Sequence, residues 1–263
     1  MPPTPSSPVT PSRYDLYERC VQSPRASAAY LRAIHGRSPR TLREDFCGGG
    51  ALCLAWASTD PTATAIGVDM DPEPLARLRR VPRVRAIAAD VLHVDARADV
   101  IAATNFPLGY FFERSDLVEY LRRSRARLKR RGVFVADMYG GRDSMTLQTT
   151  SARFSLPDGT PVLYEWEHRE ADPVTARVLN VIHFTLGKGR NAARLRDAFT
   201  YSWRLWSIPE LTDAYREAGF GAVEVFDHEA GAMDHLGTLH VRPFEPGADA
   251  LPENWVVFVA GRA

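Results

Sequence analysis

The chain has 263 residues, 45% hydrophobic and 25% charged, enough for one α/β domain with an insertion or two small domains around a sizeable core. A formal net charge of +1 argues against a surface devoted as a whole to nucleic acid or membrane, and no apolar run approaches the length of a membrane span. Cys20, Cys47 and Cys53 form no CxxC pair, so neither a disulfide framework nor a metal site is indicated; a reducing cytoplasm is the simplest compartment.

The first twelve residues hold five prolines among Ser and Thr and are expected to be a disordered tail, leaving 13–263 as one domain. They lack the basic start and apolar core of a signal peptide. Tyr14, Tyr17, Cys20 and Val21, then Ala29, Tyr30 and Leu31, recur at helical spacing on either side of Ser23-Pro24, which predicts two short helices between 14 and 34. A strand ending near Glu44 passes through a glycine turn into a helix over 51–57. The spacing then predicts a strand over 63–69, a helix over 72–80 behind Asp71-Pro72, strands over 84–88 and 100–104, a helix over 115–130 and a strand over 133–137. Strands alternating with helices in this way require right-handed crossovers and a parallel sheet covered on both faces. Beyond Gly140-Gly141, residue-by-residue alternation over 162–169, 178–186 and 198–206 predicts an antiparallel meander. Ser207, Pro209 and Glu210 open a further helix to Ala218, Gly219 ends it, and strands over 223–226 and 255–260 return to the first sheet. The fold class is α/β, with the meander, about 150–206, inserted into one domain.

The segment LREDFCGGGALCLAW, 42–56, joins a strand end, three glycines and a helix start, which offers free backbone N–H groups to a nucleotide-like ligand. Asp69 lies 21 residues after Gly48, the spacing of a carboxylate that accepts both hydroxyls of a ribose. A dinucleotide fingerprint would need glycine where Cys53 stands, which weakens a nicotinamide oxidoreductase reading without excluding it. Five stretches then follow in order: Glu44 with Cys47-Gly48-Gly49-Gly50, Gly67-Val68-Asp69-Met70-Asp71, Ala89-Asp90-Val91, Ala103-Thr104-Asn105-Phe106 and LKRRGVFVAD, 128–137. Together with Pro209-Glu210-Leu211 and Ala218-Gly219-Phe220, they resemble the motifs of class I S-adenosylmethionine (SAM) dependent methyltransferases, with an EDFCG variant of the first motif. The resemblance covers about 38–141 and 205–260. It implies a Rossmann-like seven-stranded sheet with helices on both faces and SAM as methyl donor, with S-adenosyl-L-homocysteine as product. Carried over position by position, it implies cofactor contacts for Glu44, Cys47, Gly48, Gly50, Asp69, Met70, Asp90, Val91 and Asn105. Tyr14 and Tyr17 of the first helix either cover the cofactor or fill the core. Phe46 stands where the family has its first glycine, and the turn there is expected to form without a positive φ, Gly48 to Gly50 taking over the bend and the ring packing away from the ligand.

The features support methyl transfer to N or O of a small-molecule acceptor, with Tyr110, Tyr139 and His183 as substrate-side candidates and His183 the better proton acceptor. No catalytic base is assigned, because a sulfonium methyl is already activated and a base is needed only where the nucleophile must lose a proton. One alternative is a nucleobase or protein methyltransferase, for which NFPL, 105–108, and RRSRARLKRR, 122–131, would be the working features. The solvated face and basic end of a helix explains that arginine run more cheaply, and nucleic acid is disfavoured as a partner. A non-catalytic SAM-binding protein on the same fold is the other alternative, kept open by Phe46. Tyr164, Trp166, Phe199, Tyr201 and Trp203 make one face of the meander aromatic, suited to core packing, a pocket wall or a homodimer interface.

Overall fold

The computed structural model describes residues 11–189, 192–228, 231–234 and 238–263. Of the expected tail only Pro11 and Ser12 fall within them, and Ser12 closes a capping box with Asp15 at the start of the first helix. In chain order, α1 (Arg13–Val21) and α2 (Pro24–His35) precede β1 (Thr41–Asp45), α3 (Ala51–Ala57), β2 (Thr64–Asp69), α4 (Pro72–Leu75), β3 (Val84–Ala88), β4 (Ala98–Ala103), α5 (Arg114–Ala126) and β5 (Leu128–Gly141). There follow β6 (Gln148–Ser155), β7 (Pro161–Asp172), β8 (Arg177–Leu186) and β9 (Ala193–Arg204), then α6 (Ile208–Glu217), β10 (Ala222–Asp227), the short pair β11 (Ala232–Met233) and β12 (Leu239–His240), and β13 (Asn254–Arg262).

Alternation along strands that are apolar on both sides explains the layering. In β5, Val133 and Val135 enter one buried cluster while Phe134, Ala136 and Met138 enter the other; in β4, Val100 and Ala102 part from Ile101 and Ala103 in the same way. Helices α2 and α3 cover the first face through Leu31, Ile34, Leu52 and Trp56, and α5 and α6 cover the second through Leu117, Leu121, Leu211 and Tyr215. The seven strands run β10-β13-β5-β4-β1-β2-β3. Strands β1 to β5 pair in parallel, and β13 is antiparallel to both β5 and β10. Their carboxyl ends lie on one side, where such sheets bind ligands.

Between β5 and α6 the chain builds a second, antiparallel sheet in the order β6-β7-β8-β9. It has four strands where the alternation predicts three. Strand β6, QTTSARFS, is exposed along most of its length and carries too little apolar signal to be read. Two other expectations change. Helix α4 stops at Leu75 and tightens into a 3₁₀ turn over Ala76–Leu78, with Arg79 already extended. Strand β5 starts at Leu128 rather than 133, so the arginine run is divided between the end of α5 and an exposed strand start.

Candidate functional site

Strand β1 delivers the glycine loop to the carboxyl end of the sheet. Phe46 has φ 57°, Gly48 φ 49° and Gly50 φ 65°, so the bend is shared by three left-handed residues. The expectation of an ordinary φ at Phe46 is overturned. Its ring lies among Tyr110, Phe111 and Tyr120, at centroid distances of 6.3, 6.3 and 5.8 Å, and this packing holds a conformation that a Cβ disfavours. Phe46 is also one of the residues that line the cavity described below. Gly50 is required for space as well, because a Cβ there would sit 2.4 Å from Leu78 Cδ1. At Gly48 a Cβ would meet nothing within 4 Å, which leaves open room beside the backbone. The Gly48 N–H donates to Asp69 Oδ2 at 2.7 Å and the Asp71 N–H to Asp69 Oδ1 at 2.9 Å, so one carboxylate ties the glycine loop to the end of β2.

A cavity of about 720 Å³ opens over these groups. One side is made of Phe46, Cys47, Gly48, Gly49, Asp69 and Met70; Thr104 and Asn105 at the end of β4 form its floor. The other side comes from Tyr14, Tyr17 and Glu18 of α1, Tyr110, and residues 197–201 of β9. Stacking of Phe199 on Tyr201 at 6.3 Å and of Tyr201 on Trp203 at 4.5 Å makes that side an aromatic wall. Helix α1 lies along this side and is tied to the glycine-loop side. Its Tyr14 hydroxyl donates to Asp71 Oδ2 at 2.8 Å, and Glu18 meets the Arg77 guanidinium at 2.7 Å over Gly49. Burial, together with the Asp71 hydrogen bond, pushes the Tyr14 phenol up to about 12. A second cavity, about 90 Å³, shares Thr104 and Asn105 and adds Ser23, Ser27, Asp137 and His228.

Of the residues expected to hold a cofactor, Tyr14, Cys47, Gly48, Asp69, Met70 and Asn105 line the main cavity. Tyr110, a substrate-side candidate, lines it too. Glu44 lies beneath the loop instead, accepting the Cys53 N–H at 3.1 Å, with burial raising its carboxyl to about 7. Asp90 caps the 3₁₀ turn Val91–His93 through the Leu92 N–H at 2.8 Å, and Val91 is buried; neither borders the cavity. Tyr139 and His183 do not border it either. The Tyr139 hydroxyl accepts from Asn180 Nδ2 at 2.7 Å inside the junction of the two sheets. His183 lines a separate cavity of about 380 Å³ with Glu165, Glu167 and Arg196. Its Nδ1 accepts the Asp197 N–H at 3.0 Å, which puts the ring proton on Nε2 facing Glu167 at 2.8 Å and occupies the lone pair a base would use. The expectation of His183 as proton acceptor is corrected on that ground.

Sequence reasoning missed a buried polar frame around the site. Arg43, fully buried, pairs with Asp45 at 2.7 Å and donates to the carbonyls of Val91, Val94 and Ala96; Arg127 donates to those of Val91 and Leu92. The signal was an arginine in the middle of a strand covered on both faces. Among the described residues no group of three or more metal-ligating side chains occurs, and no helix is long and apolar enough to cross a membrane.

No family model matches the chain, and no curated protein matches it in sequence. Solved structures do match in shape. DesVI of Streptomyces venezuelae is 17% identical over 95% of this chain and 97% of its own, with a TM-score of 0.68. CalS10, an amino pentose methyltransferase of Micromonospora echinaspora in a SAM-bound structure, is 17% identical over 98% and 99%, with a TM-score of 0.67. KedS8, a sugar N-methyltransferase of a Streptoalloteichus species, is 16% identical over 99% of each chain, with a TM-score of 0.65. The chain has the Rossmann-like methyltransferase fold. The match extends over the inserted antiparallel sheet as well as the seven-stranded one.

Proposed function

We propose that the chain is a SAM-dependent methyltransferase acting on N or O of a small-molecule acceptor, built on a first motif in which Phe46 replaces a glycine. The observation that carries this reading is the continuity of the main cavity from the Gly48–Asp69 contact to the aromatic wall of Tyr17, Tyr110, Phe199 and Tyr201. The residues fit the cofactor: open space beside Gly48 admits a ligand against the backbone, and Asp69 at the end of β2 has acceptor capacity left for ribose hydroxyls. Bound there, SAM supplies an activated methyl on a sulfonium. Asp69, Gly48, Cys47 and Met70 would hold its nucleoside end and Asn105 its methionine end, with Tyr14 covering the mouth. Among the described residues the Asn105 side-chain amide has no hydrogen-bond partner and is available for this.

The protein's task is then to hold a nucleophile in line and keep water out. Aromatic faces suit the positive charge that disperses during transfer. Relatives of this fold that act on an amino pentose and on a sugar nitrogen favour a small polar acceptor. A cytoplasmic protein and a homodimer are consistent with this reading. Incubation with methyl-labelled SAM and fractionated metabolites, RNA and protein tests it: label in the small-molecule fraction is expected. Binding of SAM with no transfer to any pool would replace the reading with a non-catalytic one, and binding of NADH in place of S-adenosylhomocysteine would overturn it.

A further inference from the structure

The loop that follows β4 has an unusual backbone. Asn105 and Phe106 are both left-handed, with φ 70° and 67°, immediately before Pro107 opens a 3₁₀ turn to Tyr110. Two successive residues of this kind direct neighbouring N–H groups into one concavity, which is an anion-binding shape. It is filled from β5. Asp137, only 6% exposed, accepts the Asn105 N–H at 2.9 Å through Oδ2 and the Phe106 N–H at 2.7 Å through Oδ1. Asn tolerates a left-handed backbone, but Phe does so at a cost that the carboxylate must offset. From the other side the loop is clasped by the second sheet: Trp203 lies so close over Gly109 that a Cβ there would be 2.7 Å from its ring, and the Phe106 ring packs edge-on to Trp203 at 5.9 Å as well as to Tyr139 of β5 at 4.9 Å.

Asn105 lines both the large and the small cavity, and Asp137 lines the small one. On the methyl-transfer reading of the site, we infer that Asp137 is a positioning residue: its carboxylate fixes the Asn105–Phe106 turn so that the Asn105 amide faces the junction of the two cavities, where the donor's reactive end must lie. The residue itself need touch neither ligand. Burial outweighs the backbone hydrogen bonds and lifts the carboxyl to about 7, so protonation near neutrality weakens one of the two acceptors that hold the turn. Among the described residues, the titratable groups that face it include Tyr17 of α1 and Tyr215 of α6, whose phenols are raised and stay neutral, and His228, which borders the same small cavity.

The test is calorimetric binding of S-adenosylhomocysteine to the full chain, with Asp137→Asn and Glu44→Gln compared across about pH 6 to 8. Asp137→Asn is expected to weaken binding about tenfold to a hundredfold, the range for losing a charged acceptor. It is also expected to speed amide hydrogen exchange over residues 104–110. Wild-type affinity should fall as pH drops through about 7, a limb that Glu44→Gln keeps and Asp137→Asn loses. Equal affinity in wild type and Asp137→Asn overturns the positioning role and leaves the methyl-transfer reading standing. No binding by wild type overturns both. Should Asp137→Asn not fold, a flat wild-type profile over the same pH range overturns the role on its own.

Discussion

Phe46 is left-handed at a cost of about 1–2 kcal/mol for a residue with a Cβ. Removing a buried core aromatic ring costs about 3–5 kcal/mol, and half-buried Phe46, packed against three other rings, falls toward the lower end of that range. The packing term wins, so Phe46→Gly should lower the thermal midpoint despite relieving strain; a rise would mean that the ring contributes little. Asp69 differs in kind, because its carboxylate ties the loop to β2 at the cavity's edge. Asp69→Ala should abolish S-adenosylhomocysteine binding by calorimetry, and unchanged affinity would remove the cofactor assignment. Glu44 carries the pH dependence. Burial holds its carboxyl near 7 in the folded chain, above its ordinary range, so its contribution to stability is complete below that ordinary range and is lost as pH rises through about 7. The thermal midpoint should therefore decline from about pH 5 to pH 8, with Glu44→Gln flattening part of the slope. An unaltered slope would assign the effect to Asp137 alone. Asp69 and Asn105 could be read in the sequence because strand-end polar residues at fixed spacing mark a ligand edge. The roles of Arg43 and Asp137 could not, since their partners are backbone groups contributed by distant elements, although an arginine inside a strand covered on both faces marks Arg43 as unusual.

At the level of elements, the segment after β4 joins the two sheets. Gly109 lies under Trp203, with a Cβ position 2.7 Å from Cγ and 2.8 Å from Cβ of that side chain. Gly109→Ala should therefore destabilise the chain by about 1–3 kcal/mol, as overpacking does, and weaken S-adenosylhomocysteine binding in parallel. A neutral effect on denaturant midpoint would show that Trp203 moves freely. Helix and strand periodicity made the alternating elements legible, with the capping box at Ser207 and Glu210 marking α6 correctly. Strand β9 shows its alternation in the sequence only over 198–206. It begins five residues earlier, at Ala193 rather than 198, because Asp197 is left-handed, φ 49°, and a bulge shifts the alternation there. That same bulge gives His183 its backbone donor, and a bulge of this kind has no signature in residue type.

For the whole molecule, the sequence disclosed a parallel sheet covered on both faces and the return of the chain to that sheet, because both follow from the alternation of period. It did not disclose that β13 would separate β5 from β10, since an antiparallel strand leaves no mark of its neighbours in one sequence. Strand β13 comes later in the chain than every other strand of the sheet, yet it occupies an interior position. As the chain leaves the ribosome, β5 and β10 therefore wait with open edges until residues 254–262 have been made, and the apolar Val257, Phe258, Val259 and Ala260 are the last pieces of the core to arrive. A nascent chain stalled before residue 254 should remain protease-sensitive and bind chaperones, whereas a chain that includes β13 should not.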